Sequence, residues 1–440
     1  MSEYFDVCVL GLGATGYATA AFCAEQGMRV AVTDNREKPP LLSRLVTDYP
    51  EMTIALGGFD YTVIAKSKRV IVSPGIVPTD TVVAFMDEHN IAYGSDIDLF
   101  MQYCKVPIIG VTGSNGKSTV VKLIHDMIEA SGQSSCMLGN IGQPALSVLM
   151  QPVQSYDWVV LELSSFQLFW SRHLALELGV IVNIFPNHLN WHASWSCYVN
   201  SKLKLLAAAE RCVCTHGVKP LITDAADREK VSWVVDEHSL MSSAPEMLKM
   251  VVNLPETLRV NALIASKVAD LIGLDNNVQT QTLNQFQPWP YRCQLEPVKY
   301  GYWYNDAKSS NLAASHYALT NIYNKHGQKM LWIAGGLSKQ EDFTQLGLWV
   351  GSYVHHAIVY GVDKMSFLEN IKGHCPVSPV ESLYDAVVLA KQMLAADGVV
   401  VFSPGAASFD QFENYMHRGQ CFTELLQDLV CVTGVDYNDC

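Results

Sequence analysis

One hydrophobic rhythm recurs along the chain: a short, wholly apolar run, a glycine-rich or polar break, then apolar positions at helical spacing. DVCVLGL reads as a buried strand, TGYATAAFCAEQG as an amphipathic helix closed by Gly27, and RVAVTD as a second strand. KRVIVSPGI follows as another strand, ending at a Pro-Gly turn. Strands that are apolar throughout, rather than alternating, fit a parallel sheet covered by helices on both faces. The rhythm restarts at VPIIGVTGSNGKS, strand into loop into helix, and continues through DWVVLELSS and LELGVIVNIF. A polar stretch from Trp195 to about Leu283 reads as helix-rich, and QPWPYRC, with its two prolines, as a linker near residue 290. YGYWYNDAKSSN, KMLWIAGGL, HHAIVYG and GVVVFSPGAAS then supply further strands with helices between them. The expected fold class is α/β, with three α/β domains in tandem over residues 1–95, 96–290 and 291–440.

A chain of 440 residues is too long for one ordinary core, which agrees with three domains. Forty-three acids against 30 bases leave a net charge of −13, which argues against nucleic acid or an anionic membrane as the main partner. The start, MSEYFDVCVLGLG, has no basic leader and reads as a first strand rather than a signal peptide. No apolar run approaches ~20 residues, so no membrane span is expected. Twelve cysteines are scattered without a CxxC pair, which favours reduced thiols in a cytoplasmic protein over a zinc site or disulfides.

Two stretches carry nucleotide chemistry. Gly113, Gly116, Lys117 and Ser118 form GxxGKS between a strand and a helix, although Val111 stands where the strict phosphate-loop pattern wants glycine. Glycines let backbone N–H groups turn toward phosphate, the helix N-terminus adds its positive end, Lys117 a point charge, and the Ser118 hydroxyl can reach Mg²⁺. ATP is the expected ligand, and the central domain is P-loop ATPase-like. GLGATG matches GxGxxG at Gly11, Gly13 and Gly16, with Asp34 closing the second strand where a ribose hydroxyl would be read. That makes the N-terminal domain Rossmann-like, either with a nucleotide-like ligand or with the fold kept as architecture alone. No hydride chemistry is visible downstream to support an oxidoreductase.

Glu162 ends an apolar strand, where a lone carboxylate wants a cation; Mg²⁺ is the favoured reading over a lysine partner or a helix cap. His188 lies just beyond the next strand, in the same crevice position. His188 and His192 share i,i+4 spacing but lack an HExxH context for zinc. Lys202 and Lys204 point apart on one helix, and their ordinary reading is a solvated face. In the C-terminal, Rossmann-like domain, Asp306 and Lys308, then Lys339 after AGGLS, then the small residues of FSPGAAS before a helix, give three anion-friendly turns.

Together GLGATG with Asp34, SPGI, TGSNGKST, GNIG, LELSSFQL, NDAKSSN, GGLSK and SPGAASFDQFENY resemble the Mur ligase family, and most closely its D-glutamate-adding branch. The displaced phosphate-loop glycine is that family's own variant. The resemblance implies an ATP-dependent amide ligase that adds D-glutamate to UDP-N-acetylmuramoyl-L-alanine through an acyl phosphate, in cytoplasmic peptidoglycan precursor synthesis. It places the UDP-sugar against Ala14, Thr15, Asp34, Asn35, Arg36 and Ser73, with Asn140 and His188 at the sugar-peptide end. ATP would meet Gly113, Ser114, Asn115, Gly116, Lys117, Ser118, Thr119, Asn261, Arg292 and Asp306, with Lys308 among the catalytic groups. Two Mg²⁺ sites would involve Ser118, Glu162, His188 and Lys202, the last as a carbamate; Lys202 is preferred to Lys204 on alignment of SKLKL. Ser310, Lys339, Ser408, Phe409 and Tyr415 would hold the incoming glutamate.

A monomer is expected. The chain departs from the family pattern twice: Asn187-His188-Leu189-Asn190 replaces a histidine flanked by aspartates, and Pro255-Glu256-Thr257-Leu258 replaces GxHN before Asn261. The same mechanism with L-glutamate, or a non-catalytic UDP-sugar-binding paralogue, stand as alternatives.

Overall fold

In a computed structural model of the protein, the residues described are 4–78, 80–151, 156–189, 191–234, 256–338 and 343–428. The apolar runs become the strands of three sheets. β1 (Val7–Leu10), β2 (Val30–Asp34), β3 (Thr53–Leu56), β4 (Arg69–Val72) and β5 (Ala92–Gly94) form a parallel sheet in the order β3-β2-β1-β4-β5. The winding direction reverses at β1, and in such sheets the ligand crevice opens beyond the carboxyl ends of the strands beside the reversal.

β6 (Ile108–Thr112), β7 (Ser135–Gly139), β8 (Trp158–Glu162), β9 (Leu176–Ile181), β10 (Ala209–Thr215) and β11 (Val231–Val234) form a second parallel sheet, ordered β11-β10-β9-β6-β8-β7. The loops after β6, β8 and β9 therefore leave from three neighbouring strands. The third sheet comprises β12 (Gln294–Leu295), β13 (Tyr302–Asn305), β14 (Met330–Gly335), β15 (Val354–Tyr360), β16 (Val377–Pro379) and β17 (Val399–Phe402) in the order β12-β13-β17-β14-β15-β16, parallel apart from β12.

The chain divides into two compact units, Met1–Pro186 with Trp191–Phe286, and Asn187–Asn190 with Gln287–Cys440. In the first unit the two sheets share one core, in which Val9, Phe22 and Ile71 join Leu138, Leu161, Tyr198 and Leu206. The Asp96–Tyr103 helix between the sheets has a capping box made by Ser95 and Asp98. Asp98 also accepts the Arg172 and His173 amides at 2.9 and 2.7 Å, fastening that helix to the segment before β9. In the second unit the sheet is covered on both faces, by Trp332, Val359 and Val401 on one side and Trp303, Ile333 and Val400 on the other.

The stretch expected to be helix-rich holds two strands, β10 and β11. AERCVCT hides its strand behind charged flanks and cysteines, which pack as small hydrophobes; Cys212 and Cys214 are fully buried. The small residues of SPGAAS do not lead directly into a helix either. The next helix begins at Tyr415, after further turns, with Asn414 capping it. Among the described residues no helix is long and apolar enough to cross a membrane.

Gly16 marks the tightest packing in the first sheet: a Cβ there would stand 1.8 Å from the Gly11 carbonyl oxygen. Gly16→Ala must push the Ala14–Glu25 helix away from β1, and overpacking of this kind costs about 1–3 kcal/mol. A lower urea midpoint at unchanged slope is expected; an unchanged midpoint would contradict the close approach.

Candidate active site

The first nucleotide signature builds a cavity of about 520 Å³. Ala14, Thr15, Asn35, Arg36 and Ser73 line it from the first sheet, and Gly139, Asn140 and Gln167 from the second. Asn140 thus meets the N-terminal residues although more than a hundred positions separate them in sequence. Asp34 is fully buried and works beneath the cavity. Its carboxylate accepts the Leu12 amide at 2.7 Å, the Arg36 amide at 2.8 Å, and the Arg36 guanidinium at 2.9 and 2.7 Å. Burial pushes this carboxyl up, but the bonds from Arg36 and Leu12 outweigh it and hold the group below its ordinary range. Asp34 is thereby an anchor that aims Arg36. Ser73 donates to the Gly11 carbonyl at 2.8 Å, tying the turn after β4 to the glycine loop.

The second signature opens β6 into the Lys117–Ala130 helix through a loop whose Gly116 has φ +82°, left-handed backbone suited to glycine. A Cβ on Gly116 would stand 2.7 Å from the Asn261 side-chain oxygen, so Asn261 borders the loop although the motif before it is changed. Lys117 donates to the loop's own Gly113 and Ser114 carbonyls at 2.8 and 3.1 Å. Ser118 and Thr119 are buried in the first turn of the helix.

Asn183, just past β9, was not singled out from the sequence. Its Oδ1 accepts the Ser114 and Asn115 amides at 3.1 and 2.9 Å, and its Nδ2 donates to the Asn115 carbonyl at 3.2 Å. The Ser114 hydroxyl donates to the Phe185 carbonyl at 2.9 Å and shares a 2.7 Å hydrogen bond with Tyr198. Two loop amides expected to face phosphate are thus already satisfied by protein. The signal was present in IVNIF, a polar residue at a strand exit like Glu162.

Beneath the loop lies Lys202, 1% exposed, its amine donating to the Gly113 carbonyl at 2.8 Å and the Thr112 hydroxyl at 3.3 Å. Burial, then the Lys117 charge, hold this amine well below its ordinary range, against the opposing pull of Glu162. Glu162 is also 1% exposed. Asn140 donates to one of its carboxylate oxygens at 2.7 Å, and the other is buried with no hydrogen-bond partner among the described residues.

Lys204 has a different task. It donates to the Leu168, Phe169 and Ser171 carbonyls at 2.9, 2.8 and 3.1 Å, closing the C-terminus of the Ser165–Trp170 helix. Neither lysine belongs to a solvated face. His192 is buried against Ser165 and Cys197, and burial, with the Lys202 charge, lowers it to about 4. His188 has φ 56°, an uncommon backbone for a residue with a side chain. No cluster of three or more His, Cys, Asp or Glu side chains suited to a metal occurs among the described residues.

In the second unit Asp306 is buried and accepts the Ser309 and Ser403 hydroxyls at 2.6 and 2.7 Å; burial raises it to about 6. Lys308 lies 3.9 Å from the centre of the Tyr415 ring, a cation–π contact within the unit. Arg292 keeps a buried Nε with no hydrogen-bond partner among the described residues. Ser310 follows the Asp306 turn, Ser408 is buried, and Phe409 is exposed. Lys339 and Asn190 lie outside the described residues, as does Pro255 of the changed motif.

Comparison with known proteins covers nearly the whole chain. The family profile for the N-terminal domain of MurD-like Mur ligases matches residues 5–93, and that for the Mur ligase middle domain matches residues 111–234. A UDP-N-acetylmuramoylalanine–D-glutamate ligase of Nitrosococcus oceani is 32% identical, over 96% of each chain. The enzyme of that name from Alcanivorax borkumensis is 31% identical, over 97% of this chain and 98% of its own. Two solved structures share the fold: a pseudomurein peptide ligase type C from Methanothermus fervidus (TM-score 0.57, 16% identity, 96% and 99% covered) and a UDP-N-acetylmuramate–alanine ligase from Thermotoga maritima (0.57, 14%, 97% and 100%).

The Asn183 clamp sets the shape of the phosphate loop. Asn183→Ala removes three hydrogen bonds worth about 1 kcal/mol each, and the KM for ATP is expected to rise by about tenfold or more while the protein stays folded. An unchanged KM for ATP would show that the loop holds its shape without the clamp.

Proposed function

The chain belongs to the Mur ligase family, and we propose that it joins D-glutamate to UDP-N-acetylmuramoyl-L-alanine using ATP, in the cytoplasmic synthesis of peptidoglycan precursors. We assign residues 1–95 to the UDP-sugar, 96–290 to ATP and 291–440 to the amino acid. The observation that carries this reading is the buried Lys202 amine beneath the phosphate loop, drawn well below the ordinary lysine range by burial and the Lys117 charge against the pull of Glu162. A lysine in that state is a nucleophile for CO₂, and the resulting carbamate is a carboxylate-like anion.

The substrate carboxylate attacks the γ-phosphorus of ATP, ADP leaves, and an acyl phosphate forms. The glutamate amine then attacks the acyl carbon, phosphate leaves, and an amide results. The first step brings anion to anion, so fixed positive charge must stabilise the transition state. Lys117 is placed for this at the start of its helix; turned from the loop carbonyls toward the triphosphate, it neutralises charge as the γ-phosphoryl moves. Gly116, Lys117 and Ser118 present amides at the helix N-terminus to the phosphates. Asn261 borders the same loop for the nucleotide.

The residues present fit magnesium, because the unpaired Glu162 oxygen is an anionic donor in search of a cation. Ser118 would hold one ion with ATP, and Glu162, His188 and carbamylated Lys202 a second. Bound there, magnesium would screen the triphosphate and the developing oxyanion. Arg36 and Asn35 would receive the uridine diphosphate in the 520 Å³ cavity, with Asn140 reaching the sugar-peptide end. Arg292, Asp306 and Lys308 would serve the nucleotide from the C-terminal domain, and Ser310, Lys339, Ser408, Phe409 and Tyr415 the glutamate.

The reading is tested by phosphate release from ATP–Mg²⁺ and UDP-N-acetylmuramoyl-L-alanine with D-glutamate, L-glutamate or no amino acid. Release that needs D-glutamate, with the product of matching mass, is expected. Preference for L-glutamate would change the substrate, and release with neither would overturn the reading. Lys202→Ala is expected to lower kcat by about two to three orders of magnitude, with partial recovery in short carboxylic acids. Wild-type rates in that variant would exclude the carbamate.

A further inference from the structure

Three turns leave the carboxyl ends of the adjacent strands β13, β17 and β14: Asn305–Lys308, Ser403–Ser408 and Gly335–Ser338. Beneath them lies Arg418, from the first turns of the Tyr415–Leu426 helix, with 0% of its surface exposed. Its Nη2 donates to the Ala307 carbonyl at 2.9 Å and to the Ala406 carbonyl at 3.0 Å, so one nitrogen spans the first two turns. The third turn passes over the same guanidinium. A Cβ on Gly336 would come within 3.2 Å of Nη1 and 2.3 Å of the Ala407 oxygen, and Gly336 has φ +129°. Only glycine lets the backbone run there.

The remaining donors face polar groups without completing hydrogen bonds of full geometry: the Tyr360 hydroxyl and the Asp410 and Asp306 carboxylates act on the guanidinium. Nε and Nη1 of Arg418 are buried without hydrogen-bond partners among the described residues, as are the Tyr360 hydroxyl and the Asp410 Oδ1. Burying a cation with donors unused is expensive, and arginine does not shed its proton to relieve that cost. A side chain present only to fill space would be apolar. The arrangement makes sense if a fixed positive charge is wanted under these turns, together with donors that lock their relative positions.

We propose that Arg418 is a positioning residue of the amino-acid subsite. It sets the spacing of the three turns through the Ala307 and Ala406 carbonyls and the Gly336 backbone, and it supplies a buried cation beneath the place taken by a dicarboxylate. The proposal rests on the assignment of the Ser403–Ser408 and Gly335–Ser338 turns to glutamate; the Asn305–Lys308 turn, assigned to the nucleotide, is tied to them through the Ala307 carbonyl. The Arg418 guanidinium bonds turn carbonyls and acts on Tyr360, Asp410 and Asp306 beside it, so its effect falls on the placement of the turns rather than directly on the phosphoryl step.

The test uses the full chain, wild type with Arg418→Met and Arg418→Lys. Phosphate release is followed with each of glutamate, ATP and UDP-N-acetylmuramoyl-L-alanine varied in turn. Losing two charge-assisted bonds in Arg418→Met is expected to raise the KM for glutamate by about tenfold or more, the KM for ATP by less because the Ala307 turn is also loosened, and to leave the KM for UDP-N-acetylmuramoyl-L-alanine within about twofold. Arg418→Lys, which keeps the charge but not the fork, should fall between. An equal rise in all three KM values, or an unchanged KM for glutamate in a variant that melts cooperatively, would overturn the proposal. If Arg418→Met does not fold, Arg418→Lys decides alone by the same split; if neither folds, Arg418 is a folding residue and the proposal fails. No glutamate-dependent release by the wild type would instead overturn the functional reading beneath it.

Discussion

A lysine amine buried under a phosphate loop is the constraint on which the rest of the first unit turns. An ammonium group there would sit in a low dielectric beside the charge of Lys117, and both effects drive it toward the neutral form. The Trp195–Ala208 helix positions it with an i,i+4 pair: Tyr198 reaches Ser114 at 2.7 Å and Lys202 reaches Gly113 at 2.8 Å, from the same helical face. The helix is therefore the floor of the loop. Its aromatic neighbours, His192 against the Tyr198 ring and Trp195 stacked on it, keep water from that floor.

The loop is shaped before any nucleotide arrives. Asn183 holds two of its amides, Ser114 is tied to Phe185 and Tyr198, and Gly116 takes a left-handed turn against Asn261. A phosphate site held this way needs little reorganisation as charge moves, which is where preorganised electrostatics lowers a barrier. Phosphate is favoured at the helix N-terminus, around Gly116, Lys117 and Ser118, where the helix dipole presents its positive end.

The strands that bury both faces were legible because continuous apolar runs have one physical use in a helix-covered sheet; β1, β6, β9, β14 and β17 are examples. β3 and β16, at sheet edges and half exposed, lack that signal, and β10 was masked by cysteines between charged flanks. The phosphate loop, Glu162 and the GLGATG turn were readable from local chemistry. Lys202 and Lys204 were not separable by spacing, since i,i+2 says only that they point apart. Their partners distinguish them, a loop carbonyl and a threonine hydroxyl for one, three helix-end carbonyls for the other. Asn183 and Arg418 escaped notice for a common reason. Each acts on backbone groups far away in sequence, and nothing local records which turn will pass beside it.

Two buried basic side chains are assigned to opposite ends of the proposed reaction, and the chemistry of each suits its place. Lysine shifts its proton equilibrium readily, so burying Lys202 weakens its hold on the proton, which is what the proposed carbamate requires. Arginine keeps its charge at any working pH, so burying Arg418 yields a permanent cation with a rigid fork of donors. Exchange them and both functions suffer on physical grounds: an arginine beneath the phosphate loop could not form a carbamate, and a lysine beneath the three turns could lose its proton and lacks the rigid planar fork. Surface charge is screened within about 10 Å by salt, whereas charge fixed in the interior is screened much less.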